Sequence, residues 1–393
     1  MRYAKTVFPL ALVMFLIGAD EYILSSILAP MGETFGVAPA RITLLVTAYA
    51  LPCALLAPLF GTLSDRWGRR RVLLPSMAIF ALATYGCAFA PSFFFALVSR
   101  FVTGAAAAAL GPNAFALVGD LIPAPRRPAA MGHTMLGLTI GFIASPALGG
   151  WITEAFGWRW AFAVLATSAL VAVGAVAAGV PRRLREPSLT DAEGAGHASE
   201  ISGYLRALTL PGVPQGVAAQ GLWIGVTIGV MAIVGEIFRT RYALTVGETG
   251  LSLASFGVMT IVGNLIVARA VAWSGSTRRA ILVAIAATWL GIAGLTLGAG
   301  WPFVLALASF WLWAVFAGFG GPLLQALLAD LGGERRATVL ATSASAMHLG
   351  VVAMTFLEAW IFPRFGAAGV GVLACGGIGL SFVVQVRPPP SAR

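Results

Sequence analysis

Charged residues are scarce in this sequence of 393 residues. They make up 10% of the chain, whereas a soluble domain has about 25%, and 59% of the residues are hydrophobic. A water-soluble protein with this composition would have too few charges to cover its surface, which excludes a soluble enzyme and a disordered protein. The three cysteines, Cys53, Cys87 and Cys375, all lie in apolar stretches and predict neither a disulfide framework nor a metal site.

The sequence also lacks a nucleotide-binding loop, a nucleophile elbow and a metal-ligating constellation. We therefore expect no enzyme activity, no cofactor and no metal. What it has in abundance is long apolar runs, and a bilayer-spanning helix needs about 20 such residues. We predict spans at roughly 7–29, 42–63, 72–90, 92–118, 129–150, 160–180, 213–236, 249–272, 280–298, 302–328, 338–360 and 368–386.

The net charge of +10 would suit a nucleic-acid surface, but the distribution of the basic residues favours a membrane topology. If the N-terminus is cytoplasmic, cytoplasmic Lys and Arg outnumber those on the far side by about four to one. This asymmetry predicts a multi-pass membrane protein with both termini cytoplasmic and no nucleic-acid partner, and we expect it in the bacterial plasma (inner) membrane. The first apolar run is too long for a signal peptide and predicts a retained helix.

A polar linker at 181–212 interrupts the apolar pattern and divides the chain into six-helix halves, 1–180 and 213–393. The halves show an internal repeat, since Gly111-Pro112 recurs as Gly321-Pro322 with further identities at the same offset. The alternative is that apolar helices ending in basic loops resemble one another anyway. The repeat predicts an all-α membrane protein with twelve transmembrane helices in two pseudo-symmetric six-helix bundles.

The loop between spans two and three carries a glycine-rich, charged pattern over residues 61–71. It resembles the signature loop of the major facilitator superfamily, and the matching positions are Gly61, Asp65, Arg66, Gly68 and Arg69. The resemblance implies that Asp65 docks against span eleven and holds the cytoplasmic side closed. The alternative is a loop that only sets orientation. The corresponding loop of the second half has no acidic residue.

Span four carries an intramembrane arginine, Arg100, four residues before Gly104. The pair resembles the second motif of the same superfamily. A charge at that depth is usually turned inward, paired and functional, and the alternative is an arginine that reaches to the outer interface.

Span five resembles the motif of the superfamily's antiporters, with Gly141, Pro146, Gly149 and Gly150 in matching positions and Ser145 in place of a glycine. Glycines at helical spacing form a smooth packing face, and a proline removes a backbone hydrogen bond. We expect a hinge between the halves here. A tightly packed span without directional meaning is the alternative.

Span one carries two adjacent carboxyls, Asp20 and Glu21, followed by Tyr22. This segment resembles the pattern of a sugar- and drug-efflux branch of the drug:proton antiporter-1 family. Successive residues on a helix point about 100° apart, so both side chains cannot face the same spot. We predict that Glu21 faces the cavity as proton carrier and that Asp20 lies closer to Arg100. The alternative is a structural pair buried against Arg100.

Further candidates come from the other spans. His348 is a possible proton relay or a hydrogen-bonded packing residue, and Glu236 and Glu358 are expected at the interface. Because spans one, four, seven and ten line the central cavity of the fold that the resemblance implies, we take their polar and aromatic residues as substrate candidates. They are Glu21, Tyr22, Ser25, Asn113, Gln220, Trp223, Trp311, Phe316 and Gln325.

These features together predict a proton-coupled exporter (antiporter) of small amphipathic compounds or drugs that works by alternating access. We expect it to be a monomer whose partners are a small-molecule substrate, protons and membrane lipid. One alternative is an importer or facilitator of a sugar, an organic acid or another small metabolite. A second is a receptor or lipid-handling scaffold that does not cycle.

Overall fold

The computed structural model describes residues 2–123, 127–181, 208–332 and 336–386. All regular structure in these ranges is helical. The chain divides into two compact units, of which the first contains Met1–Gly194 and Leu244–Ala254, and the second contains Ala195–Ala243 and Ser255–Arg393. The predicted linker lies outside the described residues except for its ends, so the predicted division at 181–212 stays a prediction.

The first unit is built from six long helices and one short one. They are α1 (Arg2–Phe35), α2 (Pro39–Ile42), α3 (Leu44–Trp67), α4 (Arg69–Ala88), α5 (Phe93–Leu121), α6 (Arg127–Phe156) and α7 (Trp158–Gly179). Turns with a glycine at positive φ separate α3 from α4, at Gly68, and α6 from α7, at Gly157. Glycine suits both positions because it lacks the Cβ that disfavours this conformation.

The second unit begins with a span of three parts, α8 (Val213–Ala219), a π-helical segment (Gln220–Gly225) and α9 (Val226–Tyr242). It continues with α10 (Val246–Leu265), α11 (Val267–Ser274), α12 (Thr277–Leu297), α13 (Phe303–Gly332) and α14 (Arg336–Val386). Helix α10 begins in the first unit and ends in the second. Gly366, at φ 59°, breaks α14 into two helices.

Within the described residues, ten helical stretches are long and apolar enough to cross a membrane. One of them, Thr338–Val386, contains the break at Gly366, and α3 adds a shorter apolar stretch, Leu44–Ala57. Counting the broken stretch as two and adding the shorter one gives twelve segments at the predicted places. The all-helical fold class is confirmed, and the number of membrane crossings stays a prediction.

Glycines let the same pairs of spans approach closely in each unit. In the first unit a Cβ on Gly137 would collide with the backbone carbonyl of Ala11, which joins spans one and five. In the second unit a Cβ on Gly225 would collide with the carbonyl of Met347, which joins spans seven and eleven. Small residues allow such contacts between membrane helices.

Arginines at the helix ends repeat in the same way. Arg70 of α4 donates from Nη2 to the carbonyl oxygen of Ala177 at the end of α7, at 2.8 Å. Arg278 of α12 donates from Nη2 to the carbonyl oxygen of Gln385 at the end of α14, at 2.6 Å. Each pair is 107 residues apart in sequence. Contacts of the same kind therefore join helix ends within each unit.

Candidate functional site

An ion pair joins α1 to α5 in the interior of the first unit. Nη1 of Arg100 donates to both carboxylate oxygens of Asp20, at 2.7 Å and 2.8 Å. The side chains are 1% and 0% exposed, so the arginine does not reach to the interface. The prediction that Asp20 lies next to Arg100 is confirmed.

The arginine is held in place by α3 as well as by α1. Its guanidinium carbon lies 4.5 Å from the centre of the Tyr49 ring, a cation–π contact. Helices α5 and α3 meet closely because Gly104, one turn after Arg100 on α5, has no side chain. A Cβ there would collide with the backbone carbonyl of Tyr49 on α3. The Nε of Arg100 has no hydrogen-bond partner within the described part of the chain.

Glu21 follows Asp20 directly and has a different environment. Its side chain is half-buried, and no described residue hydrogen bonds to its carboxylate or forms an ion pair with it. Adjacent helical side chains diverge by about 100°, so the arginine that binds Asp20 does not also bind Glu21. The first carboxyl is therefore neutralised in place, and the second can gain or lose a proton without breaking an ion pair.

The other substrate candidates of the first unit lie on α1 and α5. The ring of Tyr22 packs on Phe142 of α6, with centroids 4.4 Å apart, and the hydroxyl of Ser25 donates to the Tyr22 carbonyl oxygen at 2.6 Å. Asn113 is fully buried and donates from Nδ2 to the Ala109 carbonyl oxygen at 2.7 Å. Its Oδ1 accepts no hydrogen bond from any described residue. Their role in binding stays a prediction.

The candidates of the second unit differ in how deeply they are buried. Gln220 and Trp223 lie in the π-helical segment, and both are buried, with Gln220 Oε1 and Trp223 Nε1 unpartnered in the described residues. Single π-helical turns inside α-helices occur often at functional sites. The Trp223 ring packs against Gly320 of α13, which makes it part of the packing of this unit.

The remaining candidates of the second unit lie on α13 and α14. Trp311 donates from Nε1 to the hydroxyl oxygen of Ser255 at 2.8 Å, and the ring of Phe316 lies 5.1 Å from that of Phe319. Gln325 is half-buried. His348 Nδ1 lies 3.0 Å from the Ala344 carbonyl oxygen, to which it donates within its own helix. This contact matches the packing alternative for His348, and the proton-relay role stays a prediction.

The predicted gate loop connects α3 and α4. Gly68 adopts φ 92° and forms the turn between the end of α3 and the start of α4. Arg69 donates from Nε to Asp120 at the end of α5, at 2.6 Å, a partner that the sequence motif did not identify. Gly61, Asp65 and Arg66 lie within α3, but their side-chain surroundings are outside the described residues, and the latch proposed for Asp65 stays a prediction.

The three motif glycines of span five, Gly141, Gly149 and Gly150, make close contacts inside the first unit. A Cβ on Gly141 would lie 2.7 Å from the backbone nitrogen of Ala19, and one on Gly149 would lie 2.8 Å from the Ile23 side chain. A Cβ on Gly150 would lie 2.7 Å from the carbonyl oxygen of Val246. Pro146 lies inside the continuous helix α6. The close packing expected of this face is present, whereas a hinge between the halves stays a prediction.

One acidic residue is more deeply buried in the protein than an interfacial position suggests. Glu358 was expected at the membrane interface, but its side chain is 0% exposed. Its burial has a simple cause, because Glu358 follows Met354 and Thr355 by four and three residues and thus continues their buried helix face. This helical spacing could have predicted the burial of Glu358 from the sequence, but the prediction considered only its position near the end of the span.

Several known proteins similar to this chain carry the names of transporters. The family model described as Major Facilitator Superfamily matches residues 10–240. The uncharacterized MFS-type transporter YceJ of Bacillus subtilis (strain 168) is 27% identical over 364 residues, which cover 90% of this chain and 89% of the relative. A multidrug resistance protein B homolog of Mycobacterium tuberculosis (strain ATCC 25618 / H37Rv) is 33% identical over 130 residues, which cover 33% of this chain and 24% of the relative.

Solved structures agree at the level of the fold. The crystal structure of a D-xylose–proton symporter has a TM-score of 0.77 at 16% identity, covering 99% of this chain and 98% of that one. The chain belongs to the major facilitator superfamily and is therefore a multi-pass membrane transporter, not an enzyme.

Proposed function

We propose that this transporter is a proton-coupled exporter of small amphipathic compounds or drugs, working by alternating access as a monomer in the bacterial plasma membrane with both termini cytoplasmic. The observation that carries the proposal is the contrast between the two adjacent carboxyls of α1. Asp20 is bound by Arg100 at 2.7 Å, whereas Glu21 has no hydrogen-bond or ion-pair partner among the described residues.

Glu21 is the proton carrier in this proposal. An ionised carboxyl and a neutral one differ by a full charge inside a low-dielectric interior, so protonation changes which conformation is favoured. Asp20 and Arg100 keep a fixed, mutually neutralised pair beside it, which positions α1 against α5. The fixed pair lets Glu21 titrate without an uncompensated charge appearing at Asp20.

Export requires that proton and substrate disfavour each other at the site. Proton entry from outside neutralises Glu21 and releases the substrate there, and proton loss to the cytoplasm restores the form that binds it. Such exchange requires negative cooperativity, that is, an unfavourable (positive) coupling free energy between two ligands of one protein. An amphipathic cation satisfies this requirement directly, because it is attracted to the ionised carboxylate and not to the neutral acid.

The assignment of export is supported by the antiporter-like glycine pattern of span five, whose glycines make the close contacts described above. The Mycobacterium tuberculosis relative, named as a multidrug resistance protein homolog, supports export over the third of the chain that it matches. An importer or facilitator of a small metabolite would use the same carboxyl–arginine cluster, so the direction of flux is the measurement that separates the two.

The test is a survival assay in an efflux-deficient bacterium, with a panel of amphipathic antimicrobials and the dye ethidium. We expect the wild type to raise resistance to at least one compound and Glu21→Gln to abolish this at equal expression. The matched control is Glu33→Gln, an exposed carboxyl near the end of the same helix, which should leave resistance unchanged.

The compound identified in the panel is then used in everted membrane vesicles with an imposed pH gradient. Uptake by the wild type driven by an acidic interior, and its loss in Glu21→Gln, would support proton-coupled export. If Glu21→Gln still accumulates the compound against its gradient, Glu21 is not the carrier. If the wild type moves the compound only down its gradient, the protein is a facilitator.

A further inference from the structure

A second carboxyl without a partner lies in the other unit, on the first of the two helices of α14. Glu358 is 0% exposed, and both of its carboxylate oxygens are buried without a hydrogen-bond partner among the described residues. Buried polar atoms of proteins are nearly always hydrogen bonded, so two unpartnered oxygens on one acid need an explanation.

The surroundings of Glu358 follow from how α14 packs on α9. A Cβ on Gly225 would meet Met347 and Gly350, and a Cβ on Gly229 would lie 2.5 Å from the Cβ of Met354. The same register, continued by one turn, places Glu358 level with Ile233, which is 1% exposed. The carboxyl is therefore held against an apolar part of the neighbouring helix.

Within the described part of the chain, no cation is hydrogen bonded to the carboxyl of Glu358. Helices α8, α9, α12 and α13 and the π-helical segment pack against α14, and no described residue on them hydrogen bonds to either carboxylate oxygen of Glu358. None of the charged and titratable groups that the structure describes on these elements and on α14 hydrogen bonds to the Glu358 carboxylate, and they are Glu236, Arg239, Arg241, Tyr242, Arg278, Arg279, Asp330, His348, Arg364 and Cys375.

Arg364 is the nearest of these groups along the chain, and its side chain contacts Trp360. Arg364 donates from Nη1 to the Trp360 carbonyl oxygen at 2.7 Å, and its guanidinium lies 4.4 Å from the Trp360 ring centre. Trp360 is 58% exposed, and such Trp and Arg side chains are typical of the membrane interface. Glu358 thus lies just inside an interface level, on the opposite, buried face of the helix.

A carboxylate ion in this place would be a buried charge without a cation or donor. The neutral acid avoids this penalty, and a buried carboxyl normally escapes it by keeping its proton. If packing were its only role, an apolar side chain would serve better, and ionisable residues inside membrane segments mark function by default.

We propose that Glu358 is a second proton-binding site of this transporter, in the second unit, which holds its proton in the conformation described here. The site does not depend on the Asp20–Glu21–Arg100 cluster or on the direction of transport. It gives the second unit its own response to pH.

The test compares thermal stability over a pH series for the purified full-length protein in detergent. Raising the pH removes the proton and leaves a buried unpaired charge, so the wild type should lose melting temperature more steeply than Glu358→Gln, which imitates the neutral acid. Asp330→Asn, an exposed acid of the same unit, serves as control and should parallel the wild type. Parallel curves for the wild type and Glu358→Gln would overturn the proposal.

A second measurement needs no Glu358 variant. Dicyclohexylcarbodiimide, an apolar reagent, adds to protonated carboxyls in membrane interiors, and the adduct can be located by mass spectrometry. Labelling of Glu358 at neutral pH that declines as the pH rises supports the proposal, and it should persist in Glu21→Gln. If Glu358→Gln does not fold, this measurement decides, and an unlabelled Glu358 in the wild type overturns the proposal.

Discussion

Replacing Arg100 by methionine removes the cation beside Asp20 while keeping a long apolar side chain in its place. The Asp20 carboxylate, 0% exposed, then has no partner, and the cation–π contact with Tyr49 is lost as well. Removing one member of a buried ion pair typically destabilises a protein by about 3–5 kcal/mol. Because neither side chain is screened by solvent, we expect a loss in this range for Arg100→Met.

The double variant Asp20→Asn with Arg100→Met separates the ion pair from the packing around it. It leaves no uncompensated charge, so it should recover most of the stability that Arg100→Met loses. Lowering the pH should also recover part of the loss in the single variant, because the orphaned carboxyl then takes up a proton. Neither effect should occur if the side chain of Arg100 acts only by filling space.

The unfolding of these variants can be followed with the native cysteines. Cys53, Cys87 and Cys375 are free and buried, so a thiol-reactive fluorophore reacts with them as the protein unfolds. Melting curves of wild type, both single variants and the double variant give the coupling energy directly. A double variant as unstable as Arg100→Met, or an Arg100→Met protein as stable as the wild type, would refute the reasoning.

Two further predictions use the same melting assay. Gly141→Ala should destabilise the protein by about 1–3 kcal/mol, because the new Cβ would press on backbone atoms of α1. The control Gly132→Ala, on the same helix and with no atom within 4 Å of the new Cβ, should be neutral or slightly stabilising. Equal effects of the two substitutions would contradict the packing argument. Asp120→Asn should change stability by less than about 1 kcal/mol, because Arg69 and Asp120 are 28% and 44% exposed and solvent screens the pair; a larger loss that persists at high salt would show a different role.

The sequence predicted the helical class, the positions of the spans and the repeat, because the apolar runs are long and the motifs are local. It also predicted the pairing of Asp20 with Arg100, although they are 80 residues apart, since a charge buried in a span needs a countercharge and span one offered it. Spans one and four are brought together by the fold that the motifs indicate.

Other features depend on contacts that no local pattern encodes. The burial of Glu358 is set by the face that α14 turns toward α9, and one residue of rotation would have placed it differently. The grouping of Leu244–Ala254 with the first unit arises from the contact of Gly150 with Gly250, which are 100 residues apart. The π-helical turn at Gln220–Gly225 likewise rotates the residues that follow it relative to an α-helical count.

The arginines that end neighbouring helices have a consequence for how membrane orientation is encoded. Arg70 and Arg278, at the starts of α4 and α12, are among the basic residues that predict the membrane orientation. Each also donates a hydrogen bond to a carbonyl oxygen in the last turn of another helix, where the helix dipole is negative. A lysine would preserve the count, yet its single ammonium could not reproduce the planar, multiple donation of Arg278 to Gln385 and Val386. The same side chains therefore contribute to the membrane orientation of the helices and hold the helix ends together. A substitution that changes the orientation signal at these positions would also weaken the contact between the helices.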